Sequence, residues 1–204
     1  MAKLYFSYSA MNAGKSTMLL QAAHNYQERG MSVMLLTTAM DDRAQSGVIH
    51  SRIGIAMAAD LYRPEDDIFA MVAERHARAT IHCLFVDEAH FLTAEQGWQL
   101  ARIADRLDVP VMAYGLRTDF LGRLFPGSQT LLAIADDLRE VRTICRCGRK
   151  ATMVVRLDDQ GHVLSDGAQY VVGGNDRYVS LCRRHWEEEM GRVDADDMFG
   201  FLQR

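Results

Sequence analysis

Proline and cysteine are scarce, a surplus of basic charge is missing, and no long hydrophobic run occurs. The 204 residues include three prolines and four cysteines. No proline- or serine-rich stretch and no internal repeat is present, so nothing reads as a linker or a repeat array. Lysine and arginine number 23 against 27 aspartates and glutamates, a formal charge of −4 with a pI near 6.0. That balance, without a basic run, excludes an electrostatic nucleic-acid binder. No segment reaches the ~18 uninterrupted apolar residues of a membrane span. Met1-Ala2-Lys3-Leu4-Tyr5-Phe6 meets Ser7, Ser9 and Asn12 too soon for the core of a signal peptide. What is there is 49% hydrophobic and 25% charged, close to globular averages, which excludes a disordered or low-complexity chain. A chain of this length buries about 70% of the surface its unfolded form exposes and needs no disulfides to fold. The expectation is a cytoplasmic protein of one domain, or one domain with a small appendage.

Strands and helices alternate over the first two thirds. Leu4 to Ser9 reads as a buried strand, and Lys15 to Arg29 as a helix with Leu19, Ala22, Ala23 and Tyr26 on one face and Gly30 beyond its end. Val33 to Thr38 reads as a second strand, Ile68 to Ala79 as a helix and His82 to Val86 as a strand. Ala94 to Leu107 follows as a helix, Val109 to Tyr114 as a strand and Leu131 to Arg142 as a helix. This order implies right-handed crossovers and a largely parallel α/β sheet. After Arg142 the texture changes. Three of the four cysteines fall between Cys145 and Cys182, turns occur at Asp159-Gln160-Gly161 and Gly173-Gly174, and helical periodicity is absent until Leu181. A small second lobe of short strands is expected.

Ser9-Ala10-Met11-Asn12-Ala13-Gly14-Lys15-Ser16-Thr17 lies between the first strand and the first helix. A phosphate-binding loop belongs there, because backbone N–H groups at a helix start point at an anion. Gly14 lets the backbone approach the phosphates, Lys15 reaches the β/γ oxygens and Ser16 can hold Mg²⁺. The first glycine of G-x-x-x-x-G-K-[ST] is replaced by Ser9, a source of backbone strain. The bland alternative is a plain helix start with Asn12 as cap. A second signal is the apolar strand Cys83-Leu84-Phe85-Val86 ending in Asp87-Glu88. An acid at that place positions Mg²⁺ beside the loop serine, and a second acid is placed to act as a general base. Its alternative is a solvated strand end. Cys83 reads as an ordinary buried thiol. The string Asp87-Glu88-Ala89-His90 also matches the acidic motif of a superfamily of RNA-dependent ATPases, in which Glu88 would activate water. Those enzymes need a second motor domain and a basic track, and this chain has the length and charge for neither.

Cys145-Arg146-Cys147-Gly148 and Cys182-Arg183-Arg184-His185 bracket the β-rich segment. Two ligand pairs on turns suit a tetrahedral structural Zn²⁺ with three thiolates and one imidazole. Such a site would staple a lobe too small for much core. Reduced cysteines with a surface histidine are the alternative. His24, His50, His76, His82 and His162 show no partner spacing and read as surface or core residues.

The three motifs, in this order and at this length, resemble those of the type II thymidine kinases, the zinc-containing cellular type also found in many bacteria. The resemblance runs from about Leu4 to about Met190. Further stretches carry it: Gly115-Leu116-Arg117-Thr118-Asp119-Phe120-Leu121-Gly122-Arg123-Leu124-Phe125, Val172-Gly173-Gly174-Asn175-Asp176-Arg177-Tyr178, and Ser51-Arg52-Ile53-Gly54. It implies a P-loop NTPase-like (RecA-like) largely parallel sheet flanked by helices, with a zinc-stapled β lobe bearing a lasso loop. Residues 1–142 would form the nucleotide-binding domain, 143–192 the zinc-binding lasso domain closing over the nucleoside, and 193–204 a tail. The implied activity is ATP- and Mg²⁺-dependent phosphorylation of the 5′-hydroxyl of thymidine, and of deoxyuridine, in pyrimidine deoxynucleoside salvage.

By the same resemblance, Ser9, Ala10, Met11, Asn12, Ala13, Gly14, Lys15 and Ser16 would bind the triphosphate, with Asp87, Glu88, Ala89 and His90 beside it. Ser16 and Asp87 would hold Mg²⁺, and Glu88 would be the catalytic base. Phe91, Leu116, Phe120 and Phe125 would wall the thymine pocket. Val171, Val172, Gly173 and Gly174 would meet the base edge through backbone groups, and Tyr178 would pack against it. Cys145, Cys147, Cys182 and His185 match the zinc ligands, and the loop from Gly161 to Asn175 would be the lasso. Three departures stand out: Ser9 for glycine, a first cysteine pair one residue short, and His90 where the family commonly has glutamine. The implied partners are thymidine, deoxyuridine and ATP, in a homotetramer inhibited by thymidine triphosphate, with no nucleic acid and no membrane. A lid that excludes water suits a kinase over an ATPase, since water competes for the γ-phosphoryl group. The rival classes are the nucleic-acid-stimulated ATPase and a zinc-stapled binding module with a vestigial nucleotide site. The second is disfavoured because Lys15, Ser16, Asp87 and Glu88 are all present.

Overall fold

The computed structural model describes residues 1–40, 47–169 and 177–191. In chain order the first elements are β1 (Leu4–Ser9), α1 (Lys15–Glu28), β2 (Val33–Thr38), β3 (Val48–His50), β4 (Ala56–Ala58), β5 (Asp60–Tyr62) and α2 (Ile68–Arg78). They are followed by β6 (Cys83–Val86), α3 (Ala94–Leu107), β7 (Val111–Leu116), α4 (Pro126–Ile134) and β8 (Asp137–Glu140). The last are β9 (Thr143–Ile144), β10 (Lys150–Ala151), β11 (Met153–Arg156), β12 (Tyr178–Leu181) and α5 (Arg183–Glu189). No helix of the described residues is long and apolar enough to cross a membrane.

Six strands form one parallel sheet in the order β5-β2-β6-β7-β1-β8. Its central strands are apolar runs buried on both faces, the pattern a parallel sheet sandwiched by helices requires. Alternation sorts their side chains. Met34, Leu36, Leu84 and Val86 join the cluster that holds Ile68, Val72, Leu100, Ile103 and Leu131 of α2, α3 and α4. Leu35, Cys83 and Phe85 face the opposite way, onto Leu19, Leu20 and Ala23 of α1. With helices on both faces, only the C-terminal strand ends remain for a ligand, and β1, β6 and β7 deliver the loop, the acids and Leu116 there.

Two local devices fix this end of the sheet. Thr93 and Gln96 form a reciprocal capping box at the start of α3. The Gln96 amide also donates to the carbonyls of Arg63 and Asp66, at 2.7 and 3.0 Å, tying the loop before α2 to α3. Gly127 in the first turn of α4 lies so close to the turn after Glu88 that a Cβ there would sit 2.4 Å from Ala89 O and 2.8 Å from Leu92 O. Both obstacles are backbone, so Gly127→Ala must push α4 away. It is expected to cost about 1–3 kcal/mol and to lower the melting temperature by several degrees; an unchanged melting curve would contradict this packing.

The strand expected at Val109 to Tyr114 runs from Val111 to Leu116, the short strands β3, β4 and β5 were not foreseen, and the fourth helix differs most. The segment Leu131 to Arg142 is not a single helix: α4 begins earlier, with Pro126 in its first turn, and ends at Ile134. Ala135 turns extended, and Asp137 to Glu140 pairs in parallel with β1. The open edge of the sheet offers β8 backbone partners that outweigh its local helical preference. Beyond β8, the strand pairs β9–β10 and β11–β12 and helix α5 enclose their own apolar cluster, including Val155, Leu181 and Trp186.

Candidate active site and metal centre

The loop after β1 is shaped by two left-handed residues, Asn12 (φ 61°) and Gly14 (φ 84°), with Gly14 standing as the N-cap of α1. Asn12 is therefore not the cap. The strain foreseen at Ser9 falls on Asn12 instead, because Ser9 is still extended strand, in register with Leu116. Lys15 opens α1 and turns its Nζ back to donate to Ser9 Oγ at 3.0 Å and to Ala10 O at 3.4 Å. The serine in place of glycine thus gives the lysine a hydroxyl partner.

Opposite the loop, Ser16 Oγ donates to Asp87 Oδ2 at 2.9 Å. Asp87 is buried, its backbone N–H bonded to Leu36 O and its Oδ1 accepting from the N–H of Glu88. Glu88 sits in the left-handed region, φ 50° and ψ 39°, a conformation that costs a non-glycine residue about 1 kcal/mol or more. Its carbonyl accepts from Phe91 N–H at 3.0 Å and from the Tyr62 hydroxyl at 3.2 Å. Burial, followed by the charges of Glu88 and Asp87, pushes the Tyr62 phenol well above its ordinary value, so it stays a donor. His90 is buried against Phe91 and Phe125, with ring centroids at 4.1 and 4.7 Å. Its Nδ1 accepts from Leu116 N–H at 3.2 Å and lies 3.5 Å from Glu88 Oε2. Cys83 is inert: burial pushes its thiol up to about 12, slightly offset by a Tyr26 hydrogen bond.

A cavity of about 300 Å³ runs from the phosphate loop to an apolar end. Met11, Asn12, Ala13, Gly14, Lys15 and Ser16 line one side, with Glu88 and His90 between. Phe91, Leu116, Phe120, Phe125 and Tyr178 line the other. Phe120 is placed by a tight turn in which Asp119 Oδ1 accepts from Leu121 and Arg123 N–H groups. Ser9, Ala10, Asp87 and Ala89 are buried beside this cavity and do not line it. Val171, Val172, Gly173 and Gly174 lie outside the described residues.

In the small lobe, one ligand atom from each of Cys145, Cys147, Cys182 and His185 lies within 4.8 Å of every other. Cys145 Sγ and Cys182 Sγ are 3.2 and 3.5 Å from His185 Nδ1, and Cys147 Sγ is 3.9 Å from Cys182 Sγ. A tetrahedron with Zn–S bonds of about 2.3 Å has S···S edges of about 3.8 Å, so these four fit a zinc ion. Burial opposes ionisation of Cys145, but N–H groups of Cys147 and Cys182, with the His185 and Cys147 side chains, pull its thiol down to about 6. His185 Nε2 faces Glu188 Oε2 at 3.8 Å, an orientation that leaves Nδ1 toward the thiols. The C-x-C spacing does not prevent convergence: Gly148, at φ 78°, folds the turn back so that its N–H reaches Cys145 O.

A family model described as thymidine kinase matches residues 2–186. The chain belongs to the thymidine kinase family. It is 65% identical to a thymidine kinase of Mesorhizobium japonicum over 203 residues, 100% of both chains. A thymidine kinase of Ruegeria pomeroyi is 64% identical over 96% of this chain and 98% of its own. One from Vibrio cholerae is 54% identical over 94% and 100%. The Asp87-Glu88-Ala89-His90 string therefore stands in a thymidine kinase frame, and the ATPase reading gains no support.

Sequence reasoning missed several residues of this thymidine kinase site. Tyr62 lies on the three-residue β5, too short to show a period. His50, read as a surface or core histidine, lines the cavity with Ser51, Arg52 and Ile53. The Ser-Arg-x-Gly element was a signal for that stretch. Thr118, Asp119, Val154 and Gln169 also line the cavity, and none carries a motif of its own beyond the Asp-Phe pair.

Proposed function

We propose that this member of the family is an ATP:thymidine 5′-phosphotransferase. The observation that carries the reading is the single cavity that joins a phosphate loop to an apolar, aromatic-lined end with Glu88 between them. The loop, Lys15 and the start of α1 bind the triphosphate. Phe91, Phe120, Phe125 and Tyr178 hold an uncharged pyrimidine, with the predicted base-edge backbone of residues 171–174 completing recognition. Ser16 Oγ and the Asp87 carboxylate are adjacent hard oxygen donors and would hold Mg²⁺, which supplies charge neutralisation at the phosphates. Glu88 accepts the proton of the 5′-hydroxyl as that oxygen bonds to the γ-phosphorus. The bond to the ADP leaving oxygen breaks, giving ADP and thymidine 5′-monophosphate.

The same reading keeps residues 1–142 as the nucleotide-binding part and 143–192 as the zinc-bearing lasso part, a division supported by the apolar cluster around Val155, Leu181 and Trp186. Deoxyuridine as a second substrate, the homotetramer and inhibition by thymidine triphosphate are part of the same reading and come from the family resemblance. A cytoplasmic setting suits four cysteines that form no disulfide.

ADP release with ATP and Mg²⁺, compared with no addition, thymidine, other nucleosides and RNA, tests the reading. Stimulation by thymidine is expected; stimulation by RNA alone would overturn it. Within the site, Tyr62→Phe removes the hydroxyl that steadies the strained Glu88 backbone. A loss of about 1 kcal/mol there predicts a roughly fivefold lower kcat with KM for thymidine and ATP little changed. An unaltered kcat would show that Glu88 is held without Tyr62.

A further inference from the structure

Strand β12 presents three side chains at alternate positions to three different parts of the molecule. Tyr178 lines the cavity, Ser180 reaches the phosphate loop, and Cys182 belongs to the metal cluster. The two-residue period of a strand puts Tyr178 and Ser180 on one face. Cys182 continues the extended backbone as the N-cap of α5. Ser180 Oγ donates to Met11 O at 2.6 Å, across 169 residues of sequence and in a partly buried setting. The strand itself is fixed from behind: Ser180 is in register with Val154 of β11, whose carbonyl accepts from Trp186 Nε1 at 3.0 Å.

The acceptor is well placed to matter. Met11 precedes Asn12, the left-handed residue on which the loop turns. A trans peptide is a rigid plane whose C=O and N–H point in opposite directions. Gripping the Met11 carbonyl from the β12 side therefore sets the direction of the Asn12 N–H, one of the donors of the phosphate loop. Without that grip, the plane between Met11 and Asn12 can rotate, and a left-handed asparagine gains freedom to relax.

We propose that Ser180 is a positioning residue that makes the shape of the phosphate loop, and with it ATP affinity, depend on the strand that carries the nucleoside wall. The inference rests on the kinase reading above for the identity of the two substrates. Order imposed on β12 by a nucleoside against Tyr178 is passed to the loop through one hydroxyl. Linkage makes the effect reciprocal, so ATP tightens nucleoside binding by the same factor.

Calorimetric titration with the β,γ-imido analogue of ATP and Mg²⁺, with and without thymidine, tests this in the wild type, Ser180→Ala and Ser180→Thr. Thymidine is expected to tighten the analogue in the wild type. Ser180→Ala should bind it about three- to tenfold more weakly and lose most of the thymidine effect, with zinc content and melting temperature retained. Ser180→Thr keeps the hydroxyl and should recover both properties. Wild-type affinity and an intact thymidine effect in Ser180→Ala would overturn the proposal. So would a weakening matched by loss of zinc, which would make Ser180 a support of the lobe alone, or a Ser180→Thr as weak as Ser180→Ala. Analogue affinity is read without turnover, so a wild type that never phosphorylates thymidine would sink the kinase reading, while the role of Ser180 at the loop would still be judged on affinity.

Discussion

Glu88→Gln is expected to bind ATP and thymidine almost as the wild type does and to lose about 10²–10⁴-fold in kcat. The amide keeps the size and hydrogen-bonding reach of the carboxylate but cannot take a proton. The left-handed backbone at Glu88 is held by groups that the substitution leaves alone: Asp87 Oδ1 on its N–H, and Phe91 N–H and Tyr62 hydroxyl on its carbonyl. A large loss of turnover with binding intact therefore points to the carboxylate and not to a collapsed turn. Calorimetry for the two ligands and initial rates of ADP release read the two quantities separately. Turnover within a few-fold of the wild type would remove Glu88 from its role as base.

Loss of the metal centre is the second large effect. The lobe beyond β8 has a small core, in which Cys145 and Cys182 are themselves members beside Val155, Leu181 and Trp186. Structural zinc contributes about 10–16 kcal/mol of apparent binding free energy in small zinc-finger peptides. A lobe of this size that loses such a contribution has little left to hold it. The wild type is expected to carry one zinc ion per chain, and Cys182→Ser to retain far less and to become open to trypsin at the arginines between Cys145 and Met190. Activity should fall with it, because Tyr178 and Ser180 sit on the strand that ends at Leu181, next to Cys182. Acid should act in the same direction. Protons compete with zinc for the thiolates of Cys145, Cys147 and Cys182 and for the His185 imidazole, so the wild type is expected to release its metal as the pH falls. A wild type that is active and contains no zinc would contradict the site.

The parts of the fold that were legible in the sequence are those where local and global preferences agree. β1 and β2 are apolar runs too short for a helix, and α3 has the expected bounds, Ala94 to Leu107. β8 was hidden because Asp137-Leu138-Arg139-Glu140 carries no strand signal of its own and is recruited by the free edge of β1. The chemistry-bearing motifs were legible for a different reason: phosphate, metal and proton transfer demand particular residues at particular spacings. Contacts made by ordinary residues across the chain were not. Tyr62 on Glu88, His90 against Phe125, and Ser180 on Met11 depend on which distant strands end side by side. No spacing announces that.

The most direct test of phosphoryl transfer to the 5′-hydroxyl is to follow label from γ-³²P-ATP with Mg²⁺ in the presence of thymidine or 5′-deoxythymidine. Label should appear in thymidine 5′-monophosphate, one per ADP formed, and the 5′-deoxy analogue should accept none. Label released only as inorganic phosphate, or carried by the 5′-deoxy analogue, would contradict the assignment.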